Sequence, residues 1–141
     1  MACGAVSFMN LELLYELEAK IVRTVDVGGG AMGGRTDYHM QGKVSGKING
    51  SYEGVDYGST VKTDLGDAVY VHVHETIKTD KGVISALRRG YAVPGEQGYT
   101  VRAFVLFQTG IQELRYLNWT LGLAEGVAGP DGLKLKIYAV R

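Results

Sequence analysis

The stretch GDAVYVHVHETIKT, residues 66–79, alternates without a break. Successive side chains on a strand point to opposite faces. One row of this strand therefore carries Tyr70, His72 and His74, and the other carries Val69, Val71 and Val73. The chain holds three histidines, and two of them share the first row. Which row faces a protein interior decides the fold around it and the site it can make.

The preceding segment, VDYGSTVKT (55–63), alternates as well, and DLGD joins the two as a hairpin. Pairing Lys62 with Ala68 would set Asp56 opposite His74, Gly58 opposite His72 and Thr60 opposite Tyr70, close enough to interact. Asp56 would then hold His74 in one tautomer and raise its basicity. Gly58 would leave a gap for a ligand, and Tyr70 would offer a phenol to a developing oxyanion. Such a set moves protons without a cofactor. The competing reading puts the valines inside and leaves the polar row in water, the ordinary outcome on an antiparallel sheet.

Gly66, five residues and His72-Val73-His74 also match the opening of the cupin metal motif, since imidazoles two apart on a strand point the same way. That motif then needs a glutamate after three or four further residues, where Lys78 and Thr79 stand, and a later histidine, which is missing. Asp56 and His39 are the remaining donors, and the ligand count falls short.

Further out, Leu11, Leu13, Tyr15, Leu17, Ala19 and Ile21 keep a two-residue period with charges between, so 11–27 is expected as a strand. GGGAMGGR (28–35) satisfies G-x-G-x-x-G, but the alternating TDYHMQGKV follows it instead of a helix. It therefore reads as a plain loop and not a nucleotide site. Strands are expected at 36–48 and 99–107, with a last hairpin of 121–128 and 133–141 around GPDG. VISALRRG (83–90) suggests a brief helix, and TGIQELRYLNW (109–119) has helical character. Twenty-one glycines against two prolines suit a strongly bent sheet. The expected fold is all-β: a small antiparallel, calycin-like β-barrel with one or two short helical turns, closed so that no edge is exposed.

A chain of 141 residues is one domain. Residues 1–10, with the lone Cys3, read as a loosely packed tail, and 11–141 as the barrel. Fifteen basic and fifteen acidic residues cancel and form no basic patch, so no nucleic-acid partner is expected. No apolar run is long enough to span a bilayer, and the opening residues do not form a signal peptide. A cytoplasmic protein without a membrane partner is expected. An apolar barrel face would admit a homodimer.

Candidate ligand contacts lie outside the hairpin too. Arg102, in the apolar strand YTVRAFVLF, either clamps a carbonyl or carboxylate or points outward with its stem on apolar surface. Tyr116, Asn118 and Trp119 would rim a pocket or plug a barrel end, and Tyr15 and Tyr38 are expected as wall residues.

The order of LELLYEL, the glycine pair 33–34, VKTDLGDAVYV, SALRRG, YTVRAFVLFQTG, RYLNWTLGLAEG and GLKLKIYAVR resembles the domain-of-unknown-function 3237 family, also called uncharacterised protein family 0311. The resemblance runs over residues 11–141. It matches Asp56, Arg102 and Asn118 to family positions, while Gly58 replaces a family arginine and Gln108 a glutamate. His72 and His74 match no family residue. The resemblance implies a barrel similar to allene oxide cyclase and lipocalin-like folds, which include cofactor-free cyclases and isomerases of hydrophobic, sometimes natural-product, intermediates.

The expected function is a cofactor-independent isomerase or cyclase acting on a small hydrophobic metabolite in the barrel. His74, His72, Asp56 and Tyr70 would be catalytic. Arg102, Tyr15, Tyr38, Tyr116, Asn118 and Trp119 would bind substrate, and no cofactor or metal would be involved. The alternatives are a non-catalytic carrier or sensor of a hydrophobic ligand, and a metal-dependent enzyme built on His-x-His.

Overall fold

A computed structural model describes residues 8–31 and 33–141. The chain forms eight strands: β1 (Leu11–Gly30), β2 (Gly33–Gly46), β3 (Gly50–Thr63), β4 (Gly66–Thr79), β5 (Gly82–Gly95), β6 (Gly98–Thr109), β7 (Leu121–Ala128) and β8 (Gly132–Val140). A 3-10 helix, Gln112–Trp119, lies between β6 and β7. Each strand pairs antiparallel with the next, and β8 returns to β1, closing the barrel. The expected barrel is the observed one. Residues 83–90 belong to β5 and form no helix. Their inward row of Ile84, Ala86 and Arg88 continues the two-residue period of a strand.

Most of the expected tail, with Cys3, lies outside the described residues. Asn10 is held, since its backbone exchanges two hydrogen bonds with Arg141, at 2.9 and 2.8 Å. The row expected to face inward on β1 is split by a bulge against β8 between Leu13 and Tyr15. Tyr15, Leu17 and Ala19 are buried, whereas Leu11 and Leu13 lie outside, because one extra residue reverses the facing of everything before it.

The interior is filled in layers. At the end crossed by the 3-10 helix, Leu14, Ile48, Ile77, Ile84, Phe107, Ile111 and Leu117 pack as a plug. The helix is fastened there by Asn118, whose side chain accepts from the Thr109 N–H (2.8 Å) and donates to its carbonyl (2.9 Å). Sharp bending relies on missing side chains. A Cβ on Gly42 would sit 2.0 Å from the Glu18 carbonyl oxygen of the neighbouring strand, so only glycine lets β1 and β2 approach so closely.

The other end is uneven. The first six strands span 12 to 20 residues, while β7 and β8 span 8 and 9. Pairing of β1 with β8 stops at Lys20↔Gly132, whereas β1 continues against β2 to Gly30. The wall is therefore low at the Gly129–Gly132 turn, and the interior opens there. No helix among the described residues is long and apolar enough to cross a membrane.

Candidate functional site

The hairpin of β3 and β4 pairs one residue away from the expected register. Val61, not Lys62, faces Ala68, and Asp56 pairs with Val73 while Val55 pairs with His74. A shift of one residue moves a whole side-chain row to the other face. The valine row of β4 is inside, with Val71 and Val73 buried. His74 is exposed, His72 is half-buried, and Tyr70 is 49% exposed on the outer wall.

Outside, the His72 and His74 rings lie 5.1 Å apart at centroid, and Tyr57 meets both edge-on at 6.3 and 5.9 Å. Arg35 covers the other approach to Tyr57. Partial burial and the neighbouring Arg89, His74 and Arg35 hold the His72 pKa below the usual imidazole value. Among the described residues no three histidine, cysteine or acidic side chains gather in a way that could hold a metal ion.

Asp56 takes the opposite side. It is 9% exposed and faces inward. The pairing of β3 with β4 lapses between Asp56↔Val73 and Ser59↔Tyr70. Within that lapse the His72 backbone N–H donates to Asp56 Oδ1 at 2.9 Å, so the side chain satisfies an amide that the ladder leaves open. Oδ2 has no hydrogen-bond partner among the described residues, and no fully buried side-chain oxygen or nitrogen among them lacks one. Oδ2 therefore faces open space. Burial pushes the Asp56 pKa above the usual aspartate value; the His72 N–H and the charge of Arg88 oppose this without cancelling it.

Across the inner wall, Tyr38 pairs with Asp56, Asp56 with Val73 and Val73 with Arg88, one row over four strands. Arg88 is 2% exposed. Its Nε lies 3.2 Å from Glu75 Oε2 and its Nη2 3.0 Å from Oε1. The Tyr52 hydroxyl donates to Glu75 Oε1 as well. Burial alone would lower the Arg88 pKa, but the Glu75 charge and hydrogen bonds outweigh it and hold the guanidinium charged. Burial, reinforced by the Glu75 charge, keeps the Tyr15 and Tyr52 phenols protonated.

Asp56 and Arg88 form the polar side of a cavity of about 340 Å³ at the open end. Its remaining lining is mostly apolar and includes Ile21, Met40, Val71, Tyr99, Val101 and Leu133. That volume lies at the small end of the range of about 300–1,000 Å³ for small-molecule sites. Tyr38 and Thr24 stand at its edge. The gap expected at Gly58 is already filled: a Cβ there would lie 3.0 Å from Val69 Cγ1 and 3.2 Å from the Tyr38 ring.

Among the residues expected from the sequence, the cavity thus gathers Asp56 and Tyr38. Tyr15 does not line it but is buried within reach of the charges of Glu75 and Arg88. Arg102 points outward, its side chain 61% exposed and 3.6 Å from Glu125, so it clamps nothing inside. Tyr116, Asn118 and Trp119 sit on the 3-10 helix at the plugged end, with Trp119 92% exposed. Sequence reasoning missed Arg88, Glu75 and Tyr52. Their signal is a charge inside an otherwise apolar row on each of two adjacent strands: Glu75 after Val69, Val71 and Val73, and Arg88 after Ile84 and Ala86.

The family model for proteins of unknown function designated DUF3237 matches residues 9–140. No curated protein matches. Among solved structures, the barrel is similar to a β-barrel-like protein from Acinetobacter baumannii AYE (TM-score 0.83, 16% identity, 98% of this chain and 99% of that one). It is similar to a protein of unknown function from Rhodopseudomonas palustris (0.82, 17%, 96% and 100%). It also resembles an enzyme from Penicillium herquei (0.72, 15%, 98% and 98%).

Proposed function

The chain belongs to the DUF3237 family of proteins of unknown function, and on that premise we propose that it is a cofactor-independent isomerase or cyclase. Its substrate is a small, mainly apolar molecule held in the open-end cavity. One observation carries this reading: a desolvated carboxyl, fixed through one oxygen and free at the other, stands on the wall of an otherwise apolar cavity. Such an arrangement raises the pKa of an acid, which makes its ionised form a stronger proton acceptor. Arg88, held from behind by Glu75 and Tyr52, directs positive charge toward a substrate oxygen as electrons move onto it. The cavity walls hold the flexible substrate in a reactive shape. The barrel-like enzyme from Penicillium herquei supports the idea that this architecture accommodates catalysis; fold alone does not transfer an activity.

An isomerase or cyclase of this kind leaves the mass of its substrate unchanged. Extract from cells lacking the protein is incubated with the purified chain and with Asp56→Asn, then separated by liquid chromatography and mass spectrometry. The expected result is a pair of peaks of identical mass, one consumed and one formed, with the wild type alone. A ligand retained unchanged through native mass spectrometry, with no such pair, would instead favour a carrier.

A further inference from the structure

A buried arginine on a cavity wall usually reads as a carboxylate receptor, because its planar fork matches two carboxylate oxygens. Here one edge of the guanidinium is already taken, and its charge is already compensated. Nε and Nη2 both bind Glu75, which leaves Nη1 outside the pair. N–H donors remain on Nη1, but Glu75 already neutralises the guanidinium charge, which favours a neutral carbonyl oxygen over an anion.

Charge counting points the same way. Among the described residues the buried charged side chains are Asp56, Glu75 and Arg88, two acids and one base. An entering carboxylate therefore meets a net negative interior, or a neutral one when Asp56 is protonated. In neither state is there an uncompensated cation to replace the water it gives up. An uncharged carbonyl compound loses far less on entry and finds both an apolar wall and a donor.

Building on the assignment of the cavity as the binding site, we propose that Glu75 sets the charge specificity of the ligand. By neutralising Arg88 it makes the cavity take an uncharged ketone and reject the carboxylate of the same skeleton.

The probes are 2-acetonaphthone and 2-naphthoate, which share a ring system and differ in charge. Their binding to the full chain is measured by isothermal titration calorimetry at neutral pH, with folding of every variant checked by circular dichroism. The ketone is expected to bind the wild type at least tenfold more tightly than the carboxylate. Glu75→Gln, which leaves the Arg88 charge uncompensated, should tighten naphthoate at least tenfold. Asp56→Asn, which removes the acid from the wall, should tighten naphthoate severalfold and leave the ketone within about threefold; it decides the matter if Glu75→Gln does not fold. Equal binding of the two probes to the wild type, naphthoate unaffected in the folded variants, or no binding of either probe overturns the proposal. Ala92→Phe separates the two levels of argument, since it fills the cavity. Ketone binding that survives it removes the cavity as the site, whereas binding lost in Ala92→Phe but blind to charge in the wild type defeats only the role of Glu75.

Discussion

At one end of the barrel Leu14, Ile84 and Leu117 expose none of their surface. At the other, Ile21, Val69, Tyr99 and Leu133 are only partly covered and ring a cavity of about 340 Å³. Both ends use similar apolar residues. The difference comes from what lies across them: residues 110–120 fold over one end, while short β7 and β8 leave the other low. Between them sits the Glu75–Arg88 pair, neither in the plug nor in solvent. Packing is dense at the closed end, and the proposed binding site is at the open one.

The strongest test of this division acts on the layer between. Arg88→Met leaves Glu75 buried and unpaired, and removing one partner of such a pair costs about 3–5 kcal/mol. Urea unfolding should show that loss, and Glu75→Gln combined with Arg88→Met should recover much of it, since a neutral layer has no stranded charge. If Arg88→Met unfolds no more easily than the wild type, water reaches this layer and the two ends are not separate.

The same substitution can next be made at each end. Leu117→Ala should cost about 2–5 kcal/mol, the range for a fully buried leucine. Leu133→Ala, on the cavity wall, should cost roughly 1 kcal/mol, because its side chain already borders open space. Equal losses would mean that the cavity collapses around its lining.

Asp56→Asn acts at the open end alone and in the opposite direction. The folded chain raises the Asp56 pKa by burial, so it keeps the proton over a pH window in which the unfolded chain has lost it. This residue's contribution to stability is therefore most favourable in acid and declines as pH rises from the ordinary aspartate value through the folded one. Asparagine avoids that decline. The variant should melt higher than wild type at neutral pH, and its advantage should shrink as pH falls below the aspartate range, while turnover is lost at every pH. A melting advantage independent of pH would mean that Asp56 does not titrate where the cavity requires it to.

The plug and the strands were legible because alternation is local: each apolar row announces a wall. The polar layer was harder to read, since Glu75 and Arg88 acquire meaning only when β4 and β5 are set side by side in register. Register itself was within reach. TDLG at 63–66 and TDKG at 79–82 are the same turn. Thr63 pairs with Gly66 and Thr79 with Gly82 around two-residue loops, and each glycine has a positive φ, +112° and +146°. Each threonine hydroxyl donates to the glycine carbonyl and accepts from the second loop residue. Two-residue loops are the preferred hairpin connection, and counting from that loop places Val61 against Ala68 and turns the histidines outward. Pairing Lys62 with Ala68 forgoes it.

That one-residue difference sets the smallest expected effect. His74 is exposed and His72 is half-buried on the outer wall, with the barrel sheet between their rings and the cavity. His74→Ala and His72→Ala should each change stability by no more than about 0.5 kcal/mol, as surface substitutions do, and should leave ketone binding and any isomass conversion unchanged. The His72 backbone N–H, which holds Asp56 Oδ1, survives both substitutions because it belongs to the main chain. His72→Pro removes that N–H, at the cost of straining β4, so it should release Asp56 and abolish conversion where alanine does not. Loss of conversion in His74→Ala, with binding intact, would place the chemistry on the outer face and make the open end a passive hollow.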